Sequence, residues 1–328
     1  MTLKSCLALG AAFALTAVLA PAANADEGMW TFDNFPTQKV KDTYGVTLDR
    51  AFLDKIQSAA VRLSGCSASV VSPDGLVLTN AHCVIACAQD LSSPAHDYVN
   101  DGFVTAARTE EKACPGQTAE ILLTITDVTK AVNAASAGLT GADFVKAQGA
   151  KTAELEKAAC GDDKALRCQV IGFYQGGQYK LYKYRRYNDV RLVFYPEYKA
   201  AFFGGDPDNF NFPRFNLDSG FLRLYENGQP VKTPGYLKFA TQAPKENDLV
   251  LVAGNPGSTS RLLTVSQLET LRDVTIPTQQ LMRSELRGRL IQFGEESPEN
   301  KKITVDTLTS LENGYKVYFG QQLALQDP

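Results

Sequence analysis

The cysteines of this chain, read together with its first residues, limit its folds more than any bulk property does. The N-terminus, MTLKSCLALGAAFALTAVLAPAANADEG, carries one lysine (Lys4), an apolar run from Cys6 to Ala20, and a small-residue close at Ala23-Asn24-Ala25. That order reads as a secretory signal, residues 1–25, with A-x-A cleavage after Ala25. The run is short for a spanning helix and ends in proline and small residues, so no membrane association is expected after cleavage. Cleavage removes Cys6 and leaves Cys66, Cys83, Cys87, Cys114, Cys160 and Cys168. An even set in an exported chain points to disulfides formed in an oxidising compartment, periplasmic or extracellular, while their connectivity stays open. His82 and His96 are the only histidines, so zinc would need free thiolates; neither a metal nor another cofactor is expected.

The pattern downstream is mainly β with helical additions. The segment TLDRAFLDKIQSAAVRL sets Leu48, Phe52, Ile56 and Leu63 at helical spacing behind a capping Thr47. SASVVSPDGLVLTN then alternates about Pro73 to Gly75 as a hairpin, which places His82 just past a strand end. AEILLTITDVT reads as a strand and GADFVKAQGAKTAELEKAAC as a helix. In the segment 167–197, Tyr182, Tyr184, Val190, Leu192 and Phe194 alternate with Lys183, Arg185, Arg191 and Val193, which fits paired strands. With a net charge of −3, that Tyr/Lys/Arg interleaving is an amphipathic strand and not a nucleic-acid groove. SGFLRLYENGQPV and NDLVLVAGNPG are further strands, and the set suggests a barrel or sandwich. From Thr264 the chain turns helix-forming, interrupted by Pro277 and the EESPEN loop, with Leu281, Leu286, Leu290 and Phe293 along one face.

Around His82 the text VLTNAHC resembles the histidine signature of chymotrypsin-like serine proteases, in which a cysteine follows the general base and bonds to a neighbouring strand. Here that resemblance makes Cys66 the partner of Cys83; pairing Cys87 with Cys114 and Cys160 with Cys168 keeps every remaining loop short. The chemistry requires a neutral imidazole at a strand end, one nitrogen toward a hydroxyl and the other donating to a buried carboxylate. The block RYNDVRLVFYPEYKAAFFGGDPDNFNFPRFNLDSGFLRLYENG is similar to the one that marks the bacterial dipeptidyl-peptidase family, the group of dipeptidyl-peptidases seven and eleven. GMWTFDNFP and DGFVTAARTEEKACPGQTAEILLTITDVT extend the similarity over essentially the whole mature chain.

The resemblance implies a chymotrypsin-like double β-barrel, incomplete here over 26–263, followed at 264–328 by the start of a helical cap domain. It makes His82 the general base and Asp218 the carboxylate that orients it. Asn209 accepts hydrogen bonds from a substrate's free α-amino group, and Phe210 is the aromatic beside it. Many members carry a second histidine where this chain has Ala81 and a tryptophan where it has Phe210. The serine nucleophile is expected beyond residue 328, with Ser219 and Ser258 as local substitutes. Substrates would be oligopeptides with a free N-terminus, and protein partners a second copy of this chain or a complementing C-terminal half. Two other readings are a secreted peptide-binding protein without hydrolysis and a trypsin-like endopeptidase that attacks with Ser219.

Overall fold

The computed structural model describes residues 28–257 and 263–327; the signal segment 1–25 and Ser258 lie outside the described residues. Two helices lead in, α1 (Thr37–Tyr44) and α2 (Arg50–Ala59). The cap of α2 is Asp49, whose carboxylate accepts from the Phe52 amide at 2.8 Å, and not Thr47. The helix also stops earlier than its spacing predicts, because the chain enters β1 (Ala60–Leu63) directly. There Val61 and Leu63 are buried on one side and Arg62 turns to the other, so period two replaces period 3.6.

Ten more strands follow: β2 (Ser67–Val70), β3 (Leu76–Thr79), β4 (Phe103–Val104), β5 (Lys112–Ala113), β6 (Ala119–Asp127), β7 (Leu166–Phe173), β8 (Gln178–Tyr187), β9 (Asp189–Tyr195), β10 (Gly220–Glu226) and β11 (Gln229–Pro230). They form one antiparallel sheet in the order β4-β9-β10-β3-β2-β1-β6-β8-β7, with β11 on β10 and β5 on β9, and among the described residues it stays open. The remaining helices are α3 (Ile85–Leu91), α4 (Thr129–Ala135), α5 (Gly141–Cys160), α6 (Tyr198–Ala201), α7 (Val265–Thr270), α8 (Ile276–Glu295) and α9 (Pro298–Gln326). Helices hold more of the chain than strands do, yet the sheet carries the core: Val61, Val70, Val77, Leu192, Leu222 and Leu224 belong to one buried cluster. Residues 73–75 turn as expected. Gly75 has φ +70°, and a Cβ there would lie 3.0 Å from the carbonyls of Leu224 and Val231.

In β8 the alternation holds, but Tyr182 and Tyr184 are buried, and so is Lys180, whose ammonium binds Asp33 at 2.8 Å and Thr31 at 3.2 Å. The N-terminal arm is thereby fastened to the sheet. NDLVLVAGNPG, by contrast, is not a strand: Val252 is 98% exposed and no ladder forms along the segment among the described residues. An apolar alternating run reads as β from composition alone, but a strand also needs a partner edge, and none of the described strands supplies one.

Helix α5 forms over the predicted residues and lies along the edge strand β7, where Glu156 accepts from the Val170 amide at 2.7 Å and blunts the open edge. Pro277 does not interrupt the last region. It stands inside one continuous helical run over 265–295, just past a wider π turn at Leu271–Thr275, and that widening accommodates the missing donor. Leu281, Leu286 and Phe293 do not face a core either, being 71%, 45% and 40% exposed; α8 buries Ile276 and Gly294 instead. The break at EESPEN is real, and Ser297 caps α9 by accepting from the Asn300 amide at 3.1 Å. Three disulfides join Cys66 to Cys83, Cys87 to Cys114 and Cys160 to Cys168. Among the described residues no helix is long and apolar enough to cross a membrane.

Candidate active site

The site begins with register. Strands β3 and β10 pair antiparallel with Gly220 opposite Thr79 and Phe221 opposite Leu78, so the residues just after β3 and just before β10 emerge side by side. A side chain at 220 would strike Val84, its Cβ only 2.8 Å from that methyl group. Beyond Thr79 the chain makes a tight helical turn, Ala81–Cys83. The Cys66–Cys83 disulfide ties that turn to the connection between β1 and β2.

This geometry brings His82 and Asp218 together although 136 positions separate them in sequence. The imidazole Nδ1 lies 2.7 Å from Asp218 Oδ2, and the His82 backbone amide donates to Oδ1 at 3.0 Å. Asn80 Nδ2 donates to the same carboxylate at 3.2 Å. The Asn216 side chain fixes the Asp218 backbone by accepting its N–H at 3.0 Å. Asp218 is largely buried, its side chain 11% exposed, while that of His82 is 27% exposed. Burial on its own would raise the Asp218 carboxyl. The bonds from the His82 ring and backbone, with the imidazole and the Arg214 guanidinium nearby, outweigh it and hold the group below its ordinary 3.8. With Nδ1 committed to a carboxylate, Nε2 is the nitrogen left to take a proton from a nucleophile.

The ring is also held on its face. Phe203 stacks on His82 with centroids 3.9 Å apart and planes 11° from parallel. Arg214 lies over Phe203 at 5.3 Å, and the same guanidinium donates to Asn209 Oδ1 at 3.2 Å and to Asp206 Oδ1 at 3.3 Å. Asn209 is buried, 4% exposed. Its two amide hydrogens are both used, toward the Gly204 carbonyl and Asn313 Oδ1, each at 3.1 Å. Phe210 has a left-handed φ of +66° and stands 62% exposed beside the more exposed Phe212 and Phe215. Helix α9 closes the far side of this loop. Besides Asn313, its Lys316 donates to the Asp206 carbonyl, and the Thr309 carbonyl approaches so closely that a Cβ on Gly204 would sit 2.3 Å from it.

Phe203, Arg214 and Asn313 were not singled out from sequence. Arg214 stands within the GGDPDNF…PR block, but nothing in its spacing says that it turns back to Asn209. Ser219 is adjacent to Asp218, lining a cavity of about 300 Å³ with Ser67, Ser69 and Asn80, and among the described residues it makes no hydrogen bond to His82. Cys66, His82 and Cys83 bring potential metal-ligand atoms within 4.8 Å of one another, but the two sulfurs are bonded to each other and offer no thiolate.

An imidazole at a strand end, tied to a buried carboxylate on an antiparallel sheet, has the geometry that the base half of a serine-peptidase triad requires. Comparison with known proteins places the chain within that class: residues 25–328 match Peptidase S46, and the chain belongs to that family. It is 35% identical over 290 residues to an Asp/Glu-specific dipeptidyl-peptidase of Shewanella putrefaciens, covering 83% of this chain and 39% of that protein. Against dipeptidyl-peptidase 7 of Phocaeicola vulgatus it is 33% identical over 274 residues, covering 75% and 37% of the two. The crystal structure of Porphyromonas endodontalis DPP11 with the dipeptide Arg-Asp superposes with a TM-score of 0.83 at 27% identity, over 92% of this chain and 47% of that one. The chain thus spans less than half the length of these relatives.

Proposed function

We propose that the complete protein is a serine-type dipeptidyl-peptidase that releases dipeptides from the free N-terminus of oligopeptides. The reading rests on the His82–Asp218 contact, which leaves Nε2 as the one free basic nitrogen of the pair. His82 acts as general base and Asp218 fixes its tautomer. The serine nucleophile comes from sequence beyond residue 328, which the greater length of the relatives accommodates. Residues 26–263 are then the barrel portion and 264–328 the start of a cap. Three disulfides suit a protein that works outside the cytoplasm, and the reading assigns it to the periplasm or the extracellular medium.

Asn209 supports the exopeptidase part of the reading by valence. Its two N–H donors are taken and Arg214 uses one lone pair of its oxygen, so one acceptor position is left. A buried acceptor with one vacancy suits a donor-only group such as an α-ammonium, which would otherwise lose its hydration uncompensated. Phe210 adds an apolar wall beside it. DPP11 of P. endodontalis, a structural neighbour, has been crystallised with the dipeptides Arg-Asp and Arg-Glu, which agrees with a dipeptide-releasing reading.

The test uses one peptide with a free or acetylated N-terminus and a fluorophosphonate serine probe. This chain should bind the free peptide at least about tenfold more tightly, a difference of about 1.4 kcal/mol, and resist the probe. A polypeptide extended through the remainder of the family's length should be labelled and should release dipeptides. Labelling of Ser219 would instead establish the endopeptidase reading, and an extended chain that binds but is never labelled would establish the pure binding protein.

A further inference from the structure

Arg214 touches both parts of the site. One terminal nitrogen of its guanidinium donates to Asn209 Oδ1 at 3.2 Å and the other meets Asp206 Oδ1 at 3.3 Å. Its carbon lies 5.3 Å from the centre of the Phe203 ring. That ring is the one stacked on the His82 imidazole at 3.9 Å. A single planar cation therefore joins the amide assigned to the substrate's N-terminus and the aromatic face that holds the base.

We propose that Arg214 is a positioning residue with two effects: its fork pins the Asn209 amide with the vacant acceptor presented to an α-ammonium, and its plane backs Phe203 so that the His82 ring keeps one rotamer. The proposal rests on the amine-recognition reading given above and extends it. An asparagine amide is nearly symmetric in shape, so its orientation is set only by its partners. The Gly204 carbonyl can only accept and holds Nδ2 from one side, with Asn313 Oδ1 accepting beside it; Arg214 can only donate and holds Oδ1 from the other. Without Arg214 the oxygen has two open positions and water fills them, so an incoming ammonium meets a hydrated and less oriented acceptor. Arginine is specified over lysine by the geometry: a planar fork can serve Asn209 and Asp206 together while lying on an aromatic face, and a single ammonium cannot. Asp206, paired to the same guanidinium at 3.2–3.3 Å, offsets its charge, so the fork orients Asn209 without a net positive charge beside the incoming ammonium.

With only two histidines in the chain, ring-nitrogen NMR reports on His82 directly, and His96 is an internal control. Arg214→Met, Arg214→Lys and wild type are compared on the full chain for affinity toward the free and acetylated peptides and for the His82 ring signals. Arg214→Met should reduce the preference for the free N-terminus by about tenfold or more, the effect of one charged hydrogen bond, and should shift or broaden the His82 signals while leaving those of His96 in place. Arg214→Lys should restore the His82 signals toward wild type, because a cation remains over Phe203, without restoring the peptide preference. A folded Arg214→Met protein with wild-type preference and wild-type His82 signals overturns the inference, and a change in one readout alone overturns the double role. Should Arg214→Met fail to fold, Arg214→Lys decides by itself: lost preference with retained ring signals supports the inference, and retention of both refutes it. A wild-type chain that binds free and acetylated peptides equally removes the amine-recognition reading and this inference with it, whereas wild-type preference unchanged in the variants removes only the inference.

Discussion

Replacing Asp218 by asparagine changes charge and donor pattern at almost constant shape, and its consequences can be worked out bond by bond. The carboxylate accepts from the His82 amide on Oδ1 at 3.0 Å, and from the His82 ring and Asn80 on Oδ2 at 2.7 and 3.2 Å. An amide has one oxygen for these two positions. With oxygen toward the backbone N–H, its NH₂ faces Nδ1, and the imidazole answers by moving its own proton to Nε2. The opposite orientation sets two N–H groups against each other, and a backbone amide has no tautomer with which to relieve that. The first arrangement wins. It converts two charge-assisted bonds, about 1.5–3 kcal/mol each, into neutral ones of about 1 kcal/mol and leaves Asn80 only its bond to the Asp218 backbone carbonyl at 3.1 Å, so the net loss is about 2 kcal/mol at neutral pH. The pH dependence has a fixed sign. Because the native carboxyl lies below its ordinary 3.8, its stabilisation is fully present above that value and is lost as pH falls through the depressed native one. Urea unfolding of wild type and Asp218→Asn, with disulfides intact, should therefore differ by about 2 kcal/mol at pH 7, with the gap narrowing as the medium is acidified below 3.8. Equal midpoints at neutral pH, or a gap that persists in acid, would refute the derivation. In the extended enzyme the misplaced proton on Nε2 should lower turnover by about four orders of magnitude.

Two other perturbations address the frame around the pair. Changing both Cys66 and Cys83 to alanine opens a crosslink across 17 positions; chain entropy sets the loss near 3 kcal/mol, read as a lower melting temperature in the variant and no further change on adding reductant to that bond. Gly204→Ala places a methyl carbon 2.3 Å from the Thr309 carbonyl on a backbone with φ +97°. It should cost about 1–3 kcal/mol and speed amide exchange in the 204–214 loop and the facing turn of α9, while exchange in β3 and β10 stays as in wild type.

What the sequence made legible was local. The Pro73 to Gly75 turn, the helix over 141–160 and the position of His82 past a strand end each depend on a few neighbouring residues, and each stands in the structure where its pattern put it. Non-local features were legible only through the family's motifs. No periodicity indicates that Asp218 meets a histidine 136 positions earlier, since that contact is fixed by how β10 slides against β3. Asn313 reaches Asn209 across 104 positions from a helix whose own pattern gives no hint of a site. The failed strand near Val252 is the same lesson from the other side, because alternation describes a surface and not the edge that must pair with it. The burial of Lys180 depends on Asp33 in an arm that composition cannot place.

The two parts of the site are held by different means, and this bears on how such a chain meets a substrate. His82 and Asp218 stand just past strand ends whose backbones are set by a ladder, a disulfide and bonds of 2.7 and 3.0 Å, with Phe203 stacked on the ring. Asn209 stands on a loop held by side chains: the bonds to Gly204, Asn313 and Arg214 are 3.1, 3.1 and 3.2 Å, and Arg214 Nε is buried without an acceptor. A buried donor left unpaired costs about 1–3 kcal/mol, and any shift of α9 or the loop that pairs it recovers that energy. On the proposed reading the base is therefore the more firmly held point and the amine site the more adjustable one. An exopeptidase gains from that order, because the distance from a peptide's first nitrogen to its second carbonyl varies with side chain and backbone torsion, whereas the proton transfer at His82 tolerates little error. Ligand binding should accordingly move the 204–214 loop against α9 and leave the His82–Asp218 distance unchanged.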